Sequence, residues 1–279
     1  MLRAKRNKAR PGLKQRRFRQ RLISYGERKG VGRPRKIPRA AVPSFFTLMN
    51  LFCGFLSLIQ VLEGRLEYAR WLILLASFFD MMDGMMARLT NGTSSFGMEL
   101  DSLCDIVSFG VAPAFMIYVF GLQEYGTPGV IIASLPALAG AVRLARFNVN
   151  FEGTKSDYFV GMPIPVSALV IVAIVLNADL VRTLVENNGD MIVILITVIM
   201  LSGLMVSNIK FDSVPRPSAE YIRRNPRKTL VGIVALIVMV IFREPGLLAV
   251  MVTYVFVGIA RSFGGFLKAL RSAPVESSE

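Results

Sequence analysis

The sequence predicts an all-α, polytopic membrane protein with about eight transmembrane helices. Three observations predict it. Hydrophobic residues fill 53% of the 279 positions and the mean hydropathy is +0.51, which favours membrane spans over a soluble domain. The apolar residues gather in eight stretches, each close to the length that crosses a hydrocarbon core of roughly 30 Å. The cations alternate between successive links, as they do when basic segments stay in the cytoplasm.

Residues 1–40 come first. Arg3 to Arg39 hold 16 Lys or Arg against the single acid Glu27, with Pro11, Pro34 and Pro38 interspersed. Too polar to bury a core, the segment reads as a disordered basic tail. It lacks an apolar h-region and a cleavage site, so it is not expected to be a secretory signal. With no aromatic-rich or helix-turn-helix pattern, anionic membrane lipid is the expected partner, not nucleic acid. The spans follow at approximately 43–62, 68–88, 98–121, 127–147, 164–181, 190–208, 229–243 and 245–262. The seventh is short, and a re-entrant last pair would reduce the count to six. Pro163 and Pro165 mark the start of the fifth, where a missing N–H is harmless.

Counted inward from the basic tail, the inner links carry Arg88, then Arg143, Arg146 and Lys155, then Lys210 through Lys228; outer links carry few cations. Both termini are therefore expected in the cytoplasm. Histidine is absent, which removes Ser-His-Asp triads, HExxH zinc sites and His-based phospholipase-D-type chemistry. Cys53 and Cys104 read as packed thiols in apolar segments.

Against this background four acids stand out. Asp80 and Asp83 are three residues apart on one helix face, which Ala87 extends. Gly97, Asp101 and Asp105 step by four along a second helix. Leu89 to Phe96 forms a polar link, with Asn91-Gly92 as its turn signal. Two antiparallel helices joined in this way aim both carboxylate pairs into one cleft near the cytoplasmic headgroups. Charge at membrane depth is costly and marks function. Carboxylates without softer donors suit Mg²⁺ or Mn²⁺. Asn50 either touches a ligand or bonds a neighbouring helix.

The fixed residues read Asp80-x2-Asp83-Gly84-x2-Ala87-Arg88-x8-Gly97-x3-Asp101-x3-Asp105. The run resembles, at every fixed position, the signature of the CDP-alcohol phosphotransferases. That resemblance implies a six-helix core over 41–210, followed by a cytoplasmic link and two further membrane helices over 211–279. It implies two Mg²⁺ or Mn²⁺ ions with Asp80, Asp83 and Asp101 as ligands. Asp105 would complete the second metal and take the acceptor's proton. Gly84, Ala87 and Gly97 would leave room for the nucleotide, Arg88 would meet its phosphate, and the protein would be a homodimer.

Three more stretches, SFFTLMNLFCGFLSL at 44–58, RLARFN at 143–148 and YFVGMPIPVSAL at 158–169, are similar to integral-membrane phosphatidylserine synthases. They imply CDP-diacylglycerol and L-serine as substrates, with phosphatidylserine and CMP as products. Arg143 and Arg146 share a face at the cytoplasmic end of the fourth span. Forked hydrogen bonds suit them to the serine carboxylate or the lipid phosphate. Arg146, nearer water, is expected on serine and Arg143, deeper, on the diphosphate; Asn148 is expected to orient the serine amino group. The motif alone also admits other acceptors: inositol phosphate, glycerol phosphate or an amino alcohol. An ion-coupled transporter would place its acids nearer the bilayer midplane.

Overall fold

The computed structural model describes residues 41–90, 94–149, 158–184, 189–212, 223 and 225–272. The basic tail and the Asn91-Gly92 turn lie outside the described residues.

Helix α1, Ala41–Leu62, shows why these segments belong in a membrane. Its buried positions are Pro43, Thr47, Asn50, Cys53, Gly54, Ser57 and Val61, a stripe at helical spacing. Phe45, Leu48, Phe52 and Phe55 point outward. Small and polar groups face the protein while rings face out, the reverse of a helix in water. Between lipid-embedded helices, close packing and hydrogen bonds replace hydrophobic burial as the glue. α2, Leu66–Leu89, packs along α1, and the Ser57 hydroxyl donates to the Ala69 carbonyl at 3.0 Å.

Helix α3, Ser95–Asp105, starts at an N-cap: the Gly97 N–H donates to Ser94 Oγ at 3.0 Å. It runs on through a π-helical segment, Ile106–Val111, and through α4, Ala112–Ile117. A second π turn at Tyr118–Leu122 and a 3₁₀ turn at Gln123–Tyr125 complete the ascent. Gly126 reverses the chain with φ 57° and ψ −131°, a conformation that favours glycine, and opens α5, Gly126–Val149. α6, Ile164–Leu176, buries eleven of its 13 residues among α2, α4, α8 and α9. α7, Ala178–Leu184, and α8, Gly189–Val206, follow. α9, Pro226–Ser272, is two helices joined at Arg243, where φ 48° and ψ −117° bend the chain ahead of Glu244-Pro245.

Each of the eight apolar stretches thus falls on a helix, and the chain is an all-α polytopic membrane protein. The boundaries differ at two places for local reasons. The fifth stretch breaks at Asn177, whose Nδ2 donates to the Ala173 carbonyl at 2.8 Å and across to that of Glu244 at 3.0 Å. The seventh and eighth merge across the Arg243 bend. Two short strands were not expected: β1, Tyr158–Val160, pairs antiparallel with β2, Lys210–Asp212. They join the start of α6 to the end of α8.

Candidate active site

Asp80 comes from the second half of α2, and Asp101 and Asp105 from α3. One carboxylate oxygen from each lies within 4.8 Å of the other two. Spacings of three and four residues on antiparallel helices produce this convergence, as the sequence pattern requires. Asp83 is buried just beyond, against the Thr47 hydroxyl of α1.

Two oxygens in this group, Asp83 Oδ2 and Asp101 Oδ1, are buried without a hydrogen-bond partner. Among the described residues no Lys or Arg stands at ion-pair distance from any of the four acids. Four clustered carboxylates with no cation in direct contact among the described residues are electrostatically unfavourable, the more so away from bulk water. A hard divalent cation answers both observations: it neutralises the charge and takes up the orphaned oxygens. The donor set therefore fits a metal of that class.

Asp105 is held differently from the rest. Asn50 Nδ2 of α1 donates to its Oδ1 at 3.1 Å, and Ser108 Oγ donates to the Asn50 carbonyl at 3.0 Å. Gly54 makes this possible, since a Cβ there would lie 2.3 Å from Ser108 Oγ. Of the two readings left open for Asn50, the structure shows the bond to a neighbouring helix, and that bond ends on a site acid. Ser108 escaped sequence reasoning. Its one signal was the stripe of small and polar residues at 47, 50, 54 and 57, which needed a partner of the same kind.

The remaining motif residues frame the cluster. Among the described residues the atom nearest to an ideal Cβ at Gly84 is Arg88 Nη1, at 3.9 Å. Among the described residues an ideal Cβ at Gly97 would meet only its own N-cap serine, at 3.2 Å. Ala87 is half-buried and Arg88 exposed at the end of α2.

The basic group on α5 divides in a way that its spacing did not announce. Arg143 is 7% exposed, its Nε has no partner, and its charged and phenolic neighbours are Asp105, Arg146 and Tyr254. Arg146 turns away. Its Nη1 donates to the Val206 carbonyl at 3.0 Å and to Asn208 Oδ1 at 3.3 Å, and its Nη2 to the Ser207 carbonyl at 3.1 Å. Asn148 Nδ2 donates to Ser102 Oγ at 3.1 Å and Glu99 Oε2 at 3.2 Å on α3.

Residues 40–202 match the CDP-alcohol phosphatidyltransferase family. The chain belongs to this family. Among its curated relatives is the CDP-diacylglycerol–serine O-phosphatidyltransferase of Helicobacter pylori, 36% identical over 176 residues, covering 63% of this chain and 73% of the relative. The Bacillus subtilis protein of the same name is 35% identical over 179 residues, 64% of this chain and 94% of the relative. The archaetidylserine synthase of Methanothermobacter thermautotrophicus is 37% identical over 166 residues, 59% of this chain and 68% of the relative.

Proposed function

We propose that this family member transfers the phosphatidyl group of CDP-diacylglycerol to the hydroxyl of L-serine, giving phosphatidylserine and CMP. One observation carries the reading: a carboxylate cluster with no cation in direct contact among the described residues lies within electrostatic reach of a buried arginine with a free donor. A phosphoryl-transfer centre and a handle for a carboxylated acceptor are thereby neighbours. The relatives' names support serine, because the bacterial and archaeal names share it and differ only in the lipid.

Asp80, Asp83 and Asp101 are the proposed ligands of two divalent ions, Mg²⁺ or Mn²⁺, with Asp105 completing the second. Bound there, such ions polarise a diphosphate and offset charge on a leaving oxygen. The residues do the remainder. Arg88, at the open side of Gly84, Ala87 and Gly97, holds the nucleotide's phosphate. The serine hydroxyl oxygen bonds to the lipid-bearing phosphorus, the bond from that phosphorus to the CMP oxygen breaks, and the hydroxyl proton passes to Asp105 Oδ2. Asn50 donates to Oδ1, which fixes the direction of the carboxylate and leaves Oδ2 for the proton.

Arg143 is the proposed partner of the serine carboxylate. Its buried, partly unpaired guanidinium binds an anion at less desolvation cost than a hydrated one. That exchanges the expected roles of the two arginines, because Arg146 is engaged elsewhere. Asn148, held by Ser102 and Glu99, supports the α3–α5 contact beside the site. The alternating basic links support an active site at the cytoplasmic face with both termini on that side. The family resemblance supports a homodimer, and the composition of residues 1–40 supports their contact with anionic lipid.

The test is CMP release from CDP-diacylglycerol by purified protein, with serine, inositol phosphate, glycerol phosphate or an amino alcohol, in Mg²⁺, Mn²⁺ or chelator. Serine-dependent, metal-dependent release is expected. Release that follows inositol phosphate and ignores serine would refute the assignment.

A further inference from the structure

We infer that Arg146 is a positioning residue: it clamps the end of α8 so that Arg143, one turn earlier on α5, is held at the acid cluster. The inference rests on the proposed serine reading for its kinetic readout but not for its structural one.

The clamp is dense. The carbonyls of Val206 and Ser207 close α8, where backbone acceptors lack intrahelical donors and the helix dipole is negative. A guanidinium fits that end with two geometrically fixed N–H groups, and Arg146 uses them on both carbonyls and on Asn208 Oδ1. The incoming chain at α6 is tied to the same corner. The Gly161 N–H donates to the Ile209 carbonyl at 2.8 Å and the Met162 N–H to that of Leu204 at 3.1 Å. Gly161 has φ 77°, and a Cβ there would lie 2.3 Å from the Met205 carbonyl oxygen and 3.3 Å from Arg146 Nη2. Beyond the corner, Phe211 of β2 is fully buried. It stacks on Tyr254 of α9 at 6.0 Å, and an ideal Cβ at Gly258 would meet its ring.

A continuous path therefore runs from α5 through the corner at 206–208 to α9. At its far end Tyr254 is within electrostatic reach of Arg143. On this inference Arg143 is positioned from two directions: by its own helix, which Arg146 anchors, and by α9, against which Phe211 packs. Two guanidiniums one helical turn apart repel, and the three oxygens on Arg146 keep it from competing for the site.

The experiment compares Arg146→Ala, Arg146→Lys, the remote Gly258→Leu, and the double variant Arg146→Ala/Gly258→Leu. Amide exchange at 158–162 and 204–211 and the serine dependence of turnover are both measured. Faster exchange at these amides is expected in Arg146→Ala, with partial protection in Arg146→Lys, which keeps the charge without the fork. The serine concentration for half-maximal rate should rise about tenfold in Arg146→Ala and in Gly258→Leu, and by less than the product in the double variant. Unchanged exchange with weakened serine use in Arg146→Ala, or Gly258→Leu matching wild type, would overturn the inference and return Arg146 to the substrate. Should the wild type not use serine at all, the serine reading fails, while the exchange data still decide the clamp.

Discussion

The acids on α2 and α3 and the cations on α5 were both legible as charges at helical spacing, yet they meet different fates. The four aspartates gather on one side, and three bring oxygens together within 4.8 Å, while Glu67 and Glu99 on the same helices lie exposed. The cations separate: Arg143 is buried with a free Nε, while Arg146, three residues on, gives all its recorded hydrogen bonds to the end of α8. The difference is one of alternatives. A carboxylate inside an apolar helix finds few backbone N–H groups free to satisfy it, so the cleft is its main outlet. A guanidinium has a second outlet, because each helix end presents unpaired carbonyls.

The comparison can be broken most severely at the acids. Asp83→Asn keeps size and loses charge, and turnover is expected to fall below detection in a variant that still purifies as a folded membrane protein. Wild-type-like turnover would remove Asp83 from the proposed ligand set. Asp105→Asn should lower the maximal rate by about 10²–10⁴-fold, the range for a lost proton acceptor, and weaken CDP-lipid binding much less. If affinity for CDP-diacylglycerol drops in step with rate, Asp105 serves mainly the metal.

The cations should respond more mildly. Arg143→Ala is expected to raise the serine requirement by about ten- to a hundredfold, equivalent to losing a charge-assisted bond of about 1.5–3 kcal/mol. Titrating serine at saturating CDP-lipid checks this, and a shift confined to CDP-lipid would place Arg143 on the diphosphate. The smallest effect sharpens the contrast without chemistry. In chelator, Asp101→Asn should melt a few degrees above wild type, because it relieves like-charge repulsion. Adding Mg²⁺ or Mn²⁺ should then raise the wild-type Tm and leave the variant nearly unmoved, since a ligand stabilises only the state that binds it. Equal metal responses in both proteins would argue against a cation held by Asp101.

Legibility followed the same physics. The eight apolar stretches and the acid cleft could be read because composition and period specify them without reference to distant residues. The role of Asn50 stayed open because its partner, Asp105, lies 55 positions away. The β1–β2 pair was invisible: three-residue strands carry no period, and YFVGMP reads as an ordinary apolar approach to α6. Nor did apolarity reveal neighbours. α6 and the first arm of α9 are both apolar, but α6 is enclosed whereas Leu230, Val231, Leu236 and Val240 of α9 lie exposed.

That enclosure bears on how the protein is made. Thirteen residues at 1.5 Å each give α6 a length of about 20 Å, well short of a hydrocarbon core of roughly 30 Å. In the finished fold the shortfall is harmless, because other helices surround it and shield its ends. During biogenesis the same segment emerges from the ribosome after α1 to α5 but ahead of α8 and α9. Of the helices that enclose it, α2 and α4 precede it in the chain while α8 and α9 follow, so its cover is completed only by segments made later.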